Sequence, residues 1–123
     1  MNAAVLVFVG GGLGALGRYG LALWLRPDHD LQFPWATFAA NLIGCLAIGL
    51  ASGLLEDRIP ALDQVEWFLV VGLLGGFTTF SSFGLETHRL LVRGAPLMAL
   101  LYAGASLVLG LALCWLGYRL ARG

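Results

Sequence analysis

The charged residues of this chain are spaced so widely that long apolar runs lie between them. Four runs contain no charged residue: 1–17, 31–55, 67–85 and 94–118. A helix that crosses a bilayer needs about 20 mostly apolar residues. The second and fourth runs meet this length alone and the third nearly does. The first reaches it only if one helix continues past Arg18 to Leu25.

The pattern therefore predicts an all-α membrane protein with a single integral-membrane domain over residues 1–123. Its transmembrane helices are predicted at about 4–25, 34–55, 66–87 and 95–119. The connections between them are short, which leaves no room for an extramembrane catalytic domain. The N-terminal run has no positively charged start and is rich in glycine, so we expect a membrane helix there and not a cleaved secretory signal.

Composition supports the membrane assignment. Hydrophobic residues make up 59% of the chain and charged residues 11%, and the mean hydropathy is +0.87. A soluble domain has about 25% charged residues, so a soluble globule is disfavoured. The zero formal net charge argues against a nucleic-acid binder. Cys45 and Cys114 are isolated, which argues against a disulfide framework or zinc site. No catalytic triad, carboxylate pair or phosphate loop is present, so we expect no enzyme.

The seven Lys and Arg residues are all arginines, and they divide almost evenly between the two sides of the predicted membrane. With four spans, one side carries Arg58, Arg119 and Arg122, and the other carries Arg26, Arg89 and Arg93, with Arg18 as a fourth. Orientation normally follows an excess of Lys and Arg on the cytoplasmic side. Two interpretations stay open: either another signal orients the chain, or both orientations are made and pair antiparallel.

Small residues recur at four-residue spacing in three of the predicted helices. They form the pairs Gly10/Gly14, Gly49/Gly53 and Gly72/Gly76 and the stripe Ala36/Ala40/Gly44. Such spacing lets helix backbones approach closely in a membrane. We expect close helix packing at these positions.

The third predicted helix contains a segment that is a poor helix interior. Gly75 and Gly76 are followed by four hydroxyl residues and three phenylalanines within 77–83. Ser and Thr compete for backbone hydrogen bonds, and glycine weakens helices. A broken helix at membrane depth is tolerated only where its freed groups face protein, water or an ion, and such carbonyls can coordinate sodium. A cation site near Gly75–Thr79 is one interpretation; a kinked packing helix is the other.

Polar residues inside the other spans are few. Asn41 and Thr37 lie one turn apart on the second helix, and Tyr102 and Ser106 one turn apart on the fourth. Asn41 is either interhelical glue or a donor to a passing anion. Phe80 and Phe83 would share a helix face, and the positive edges of their rings can face an anion. No carboxylate or histidine lies mid-span, which favours passive conduction over proton coupling.

Three strings in order resemble the CrcB/Fluc family of fluoride channels: GGLGALGRY at 11–19, TFAANLIG at 37–44 and GGFTTFSSF at 75–83. The likeness covers essentially the whole chain in length, span count and motif order. It implies an antiparallel, dual-topology homodimer, embedded in lipid, that exports fluoride passively. It also implies a bacterial inner-membrane location.

The resemblance implies roles for individual residues. The backbone carbonyls of Gly75 and Thr78 would hold a structural Na⁺ that is not transported. Asn41, Phe80 and Phe83 would contact fluoride. The remaining implied residues are polar or charged: Thr37, Ser81, Tyr102 and Ser106 along the path, and Arg18 at a vestibule.

Two alternatives come from other functional classes. A small four-helix drug or cation transporter would need a carboxylate in the first helix, and residues 4–25 contain none. A non-transporting membrane assembly protein would leave the polar segment at 75–83 without a purpose.

Overall fold

The computed structural model describes residues 2–26, 33–57 and 63–123. In these three ranges all regular structure is helical. The elements are α1 (Ala3–Trp24), α2 (Trp35–Leu55), α3 (Asp63–Val65), a π-helix (Glu66–Leu74), α4 (Gly75–Phe77), α5 (Ser81–Val92) and α6 (Pro96–Arg122). Parts of two predicted loops, 27–32 and 58–62, lie outside the described residues, and Arg58 with them.

Four helical stretches among the described residues are long and apolar enough to cross a membrane: Ala3–Trp24, Trp35–Leu55, Glu66–Val92 and Pro96–Arg122. This confirms the prediction of an all-helical protein with four such helices. The third extends five residues beyond the predicted end because its C-terminus is closed at Gly94. That residue has φ +85°, and the Ala95 N–H donates to the Leu90 carbonyl at 2.8 Å, as in a Schellman motif.

The first and third spans pack through glycine. Gly10 and Gly14 on α1 lie against the backbone of the π-helix and α4. A Cβ added at Gly14 would stand 2.7 Å from the Phe77 backbone nitrogen, and one added at Gly72 would stand 3.1 Å from the Gly10 Cα. These distances are shorter than ordinary contacts of a Cβ atom, so the Gly10/Gly14 and Gly72/Gly76 pairs form one seam. We call it the α1 seam.

The second and fourth spans form a similar seam. A Cβ added at Gly53 on α2 would stand 2.8 Å from the Tyr118 carbonyl oxygen, and one added at Gly49 would overlap the Cys114 carbonyl. Gly117 on α6 lies against the α2 backbone near Leu50. Between the two seams, α2 also contacts the third span, along the π-helix, α4 and α5.

Aromatic side chains fill the space between α2, α5 and α6 near one end of the molecule. Tyr102 is completely buried there, together with Leu90 and Ala99. Phe33, Phe38 and Phe83 pack around this cluster. The packing fixes the position of the Tyr102 hydroxyl.

Candidate functional site

The third span is interrupted directly after α4. Thr78 has extended backbone angles (φ −88°, ψ 158°), and the helix starts again only at Ser81. Side-chain hydroxyls bond to backbone groups on both sides of the interruption. The Thr78 hydroxyl donates to the Leu74 carbonyl at 2.9 Å, and Thr79 Oγ1 accepts from the Ser82 N–H at 3.2 Å. The second contact caps the start of α5.

Asn41 on α2 reaches the interruption and pairs with both backbone groups of Thr79. Its Nδ2 donates to the Thr79 carbonyl at 3.0 Å, and its Oδ1 accepts from the Thr79 N–H at 2.8 Å. Gly44, one turn further along α2, makes room for the Thr78 methyl group. An amide nitrogen carries two hydrogens. Asn41 therefore fixes the interruption with one of them and retains a second donor.

These contacts release two carbonyl groups. In a continuous α-helix the Gly75 carbonyl would accept from the Thr79 N–H, and the Thr78 carbonyl from the Ser82 N–H. Here those two N–H groups donate to Asn41 and to the Thr79 hydroxyl. No hydrogen bond from another part of the described chain ends on either carbonyl. The interruption thus presents neutral carbonyl oxygens without hydrogen-bond donors, those of Gly75 and Thr78 among them.

A groove of about 580 Å³ opens beside the interruption. Six of the predicted site residues line it: Asn41, Gly75, Thr78, Phe80, Phe83 and Ser106. The Phe80 ring is 84% exposed, and its centroid lies 5.7 Å from that of Phe83. The Ser106 hydroxyl is buried without a hydrogen-bond partner in the part of the chain that the structure describes.

The other two buried hydroxyls of the predicted path face a carboxylate. Thr37 Oγ1 donates to Glu86 Oε1 at 2.8 Å, and the Tyr102 hydroxyl donates to Glu86 Oε2 at 2.9 Å. Thr37 is 8% exposed and Tyr102 fully buried. The Phe83 and Tyr102 rings lie 5.2 Å apart. Phe83, which lines the groove, therefore contacts the tyrosine whose hydroxyl binds the Glu86 carboxylate.

The two remaining predicted residues lie outside the groove lining. Ser81 is exposed at the start of α5, with its hydroxyl 3.3 Å from that of Thr79. Arg18 is half-buried on α1, and its Nε donates to the Gly76 carbonyl at 3.4 Å. Arg18 thus approaches the third span from the side of α1, while the groove lies towards α2 and α6.

A family model described as CrcB-like protein, Camphor Resistance (CrcB), matches residues 5–118. The chain belongs to the CrcB family. This confirms the resemblance that its three sequence strings carry. The matched range includes the interruption, Asn41, Arg18 and the groove.

Several curated CrcB relatives carry the name fluoride-specific ion channel FluC. The chain is 50% identical to one from Thermus thermophilus, over 94% of this chain and 91% of the relative. It is 43% identical to one from Nitratidesulfovibrio vulgaris, over 99% and 98%. A third, from Methylobacillus flagellatus, is 44% identical over 99% and 96%. The family is one of ion channels and not of enzymes.

Glu86 is the residue that sequence reasoning placed outside the site. The predicted third helix, 66–87, places Glu86 one residue from its end and so apart from the polar residues inside the spans. A signal was available: Phe80, Phe83 and Glu86 are three residues apart, and Phe83 and Glu86 share one face of α5. A tyrosine hydroxyl predicted inside a span also needs a hydrogen-bond partner. Glu86 supplies it.

Proposed function

We propose that this CrcB protein is a fluoride-selective channel that exports fluoride passively from the cytoplasm. The observation that carries the proposal is the composition of the groove. The Asn41 amide, the unpartnered Ser106 hydroxyl and the Phe80 and Phe83 rings border one space, and no described carboxylate, histidine, lysine or arginine lines it. The names of the relatives, which specify fluoride, support the same function.

The physical chemistry of these groups suits fluoride. The ion is small and strongly hydrated, so a pore must replace water with other donors while binding weakly enough for exit. Hydroxyl and amide groups donate without a full charge. The edges of aromatic rings carry partial positive charge. An arginine in the groove would hold an anion more strongly and slow its exit.

The carboxylate of Glu86 adds a second feature to the proposed path. It accepts from Thr37 and Tyr102, the same hydroxyls that would bind fluoride at this end. An anion that reaches Tyr102 must therefore compete with Glu86 for these donors. We include Thr37, Tyr102 and Glu86 in the path on this basis, together with Ser81 at its exposed edge.

We also propose that the carbonyls of Gly75 and Thr78 hold a structural sodium ion. Their donors are diverted by Asn41 and Thr79, and hard cations prefer such neutral oxygens. Two oxygens are too few to enclose an ion, so a second copy would supply a matching pair. A bound cation lowers the cost of an anion nearby.

The proposed assembly is an antiparallel homodimer of chains with opposite orientations. Phe80 and Gly75 are exposed in the single chain, as expected if a partner covers the groove. The balanced arginines leave orientation open. A multi-pass protein of this kind would lie in the inner membrane of a bacterium, with lipid around the rest of its surface.

Flux from liposomes tests the proposed function. Purified protein should release fluoride rapidly and chloride hardly at all, and protein-free liposomes should release neither. The protein must be shown to be helical and monodisperse before reconstitution. Equal release of both anions, or no fluoride release from such protein, overturns the proposal.

Cysteine labelling tests the proposed topology. Cys45 and Cys114 are replaced by serine, and one cysteine is added after Gly123. In intact cells an impermeant thiol reagent should label about half of the protein, and the rest only after permeabilisation. Complete labelling, or no labelling, before permeabilisation contradicts dual topology.

A further inference from the structure

Arg18 carries a charge within a membrane-spanning helix. It lies on α1, six residues before the end of that helix at Trp24, and it is half-buried. A charged side chain at such a position is costly unless it has a partner. No described carboxylate lies within ion-pair distance of it, since the ion pairs of the described chain join Arg122 to Glu56 and Asp57. Its polar contact is the Gly76 carbonyl.

The Gly76 carbonyl is one of the groups that the interruption deprives of a donor. In a continuous helix it would accept from the Phe80 N–H, but the extended backbone at Thr78 separates the two. The Arg18 Nε–H instead donates to it at 3.4 Å. A buried carbonyl without a hydrogen-bond donor costs free energy. A charged donor forms a stronger hydrogen bond than a neutral one.

Contacts at two glycines bring α1 close to Gly76. A Cβ added at Gly76 would overlap the Gly11 carbonyl, and one added at Gly17 would stand 3.5 Å from the Phe77 ring. The backbone of α1 thus lies directly against α4. Arg18 lies four residues after Gly14, which packs on the Leu73 and Phe77 backbone, so its side chain begins on the same face of α1.

We infer that Arg18 is a positioning residue for the interruption of the third span. It holds the Gly76 carbonyl on the α1 side, while the Gly75 and Thr78 carbonyls stay without donors. Asn41 holds the same interruption from the α2 side through Thr79. The inference concerns the backbone itself; only its expected effect on flux rests on the proposed function.

A single carbonyl signal reports this contact. Gly76–Phe77 is the one Gly–Phe pair in the sequence, so labelling glycine with ¹³C at the carbonyl and phenylalanine with ¹⁵N selects the Gly76 carbonyl by NMR. We expect Arg18→Met to move this signal upfield, as loss of a hydrogen bond does. Arg18→Lys, which keeps a charged donor, should leave it near its original position. Arg26→Met, which removes an arginine beyond the end of α1, should not move it.

An unmoved signal in Arg18→Met overturns the inference. So does an equal displacement in Arg18→Lys and Arg18→Met. If Arg18→Met does not fold, the unsubstituted protein decides the question. With arginine Nε also labelled with ¹⁵N, a carbon–nitrogen dipolar coupling to the Gly76 carbonyl is expected, and its absence contradicts the contact. None of these measurements requires the protein to conduct.

Flux kinetics separate positioning from simple attraction of anions at a vestibule. A residue that only attracts fluoride changes the concentration at half-maximal flux and leaves the maximum unchanged. A positioning residue changes the maximum. We expect Arg18→Met to lower maximal flux about tenfold, which corresponds to one charge-assisted hydrogen bond, with half-maximal concentration unchanged and Arg18→Lys restoring most of the flux. A change confined to the half-maximal concentration overturns positioning as its role in conduction.

Discussion

Gly75 and Gly76 are adjacent in sequence and both belong to α4, yet the chain uses them differently. A Cβ added at Gly76 would overlap the Gly11 carbonyl, whereas the nearest atom to one added at Gly75 is the Val70 carbonyl oxygen at 3.7 Å. The fold of one chain therefore requires glycine at 76 and accepts a side chain at 75. Glycine at 75 calls for an explanation outside the single chain, and the proposed ion and second copy provide one.

The same contrast separates the α1 seam from the interruption as a whole. In the seam, the backbones of α1 and the third span lie in direct contact, so the chain itself fills the space at these positions. At the interruption, the Gly75 and Thr78 carbonyls lack donors, and the Ser106 hydroxyl beside them has no described partner. Groups that are packed or hydrogen-bonded within the chain contribute to its stability. Groups without a partner are available to an ion. Substitutions in the seam should therefore lower stability more than substitutions at the interruption.

The largest loss of stability is expected in the α1 seam. Gly14→Ala would place a methyl group 2.7 Å from the Phe77 nitrogen and still closer to the Leu73 carbonyl. Overpacking of this kind costs about 3 kcal/mol, and backbone on both sides cannot move aside easily. Unfolding in detergent, followed by circular dichroism, measures the loss. Gly12→Ala on the same helix, where a Cβ meets nothing within 4 Å, is the control and should leave stability unchanged or raise it by up to about 1 kcal/mol.

A smaller loss is expected at Asn41, which holds the interruption to α2. Asn41→Ala removes both hydrogen bonds to Thr79 and leaves two half-buried backbone groups unpaired, at a cost of about 2 kcal/mol. Fluoride flux should be lost as well, because the interruption is no longer held. Ser52→Ala, at an exposed position on α2, should change neither property. Wild-type stability combined with lost flux would show that the amide acts on the anion alone.

Particular residues show how far the sequence could predict this structure. Charge-free runs predict the helices because a span must be apolar along its length, and the glycine pairs predict the seams because close approach needs small residues. The interaction of Asn41 with Thr79 could not be predicted, since the two lie 38 residues apart and their meeting depends on how α2 crosses the third span. The sequence therefore allows two roles for Asn41, interhelical glue or donor to an anion. The structure shows the first role and leaves one N–H for the second.

A still smaller change in stability is expected at Phe80, with a large change in flux. Its ring is 84% exposed, so Phe80→Ile removes little buried contact within the chain. It does remove the ring edge from the groove, and we expect fluoride flux to fall by at least about tenfold, the effect of about 1.4 kcal/mol on a barrier. Phe8→Ile is the matched control, because Phe8 is 82% exposed on α1, away from the groove. Equal flux in the two variants would remove Phe80 from the path.

The smallest effect on the single chain is expected at Gly75. Gly75→Ala meets no close atom and replaces the weakest ordinary helix former by the strongest, a gain of up to about 1 kcal/mol. Helix content and unfolding of the separated chains, measured in excess detergent, should therefore match or exceed the wild type. Dimer formation, measured by crosslinking in liposomes, should decrease, since the added methyl group projects into the groove that the second copy is proposed to cover. A loss of stability as large as that of Gly14→Ala would place Gly75 in the α1 seam. An unchanged dimer would mean that no partner approaches Gly75, and the reason for glycine there would have to be sought in the ion alone.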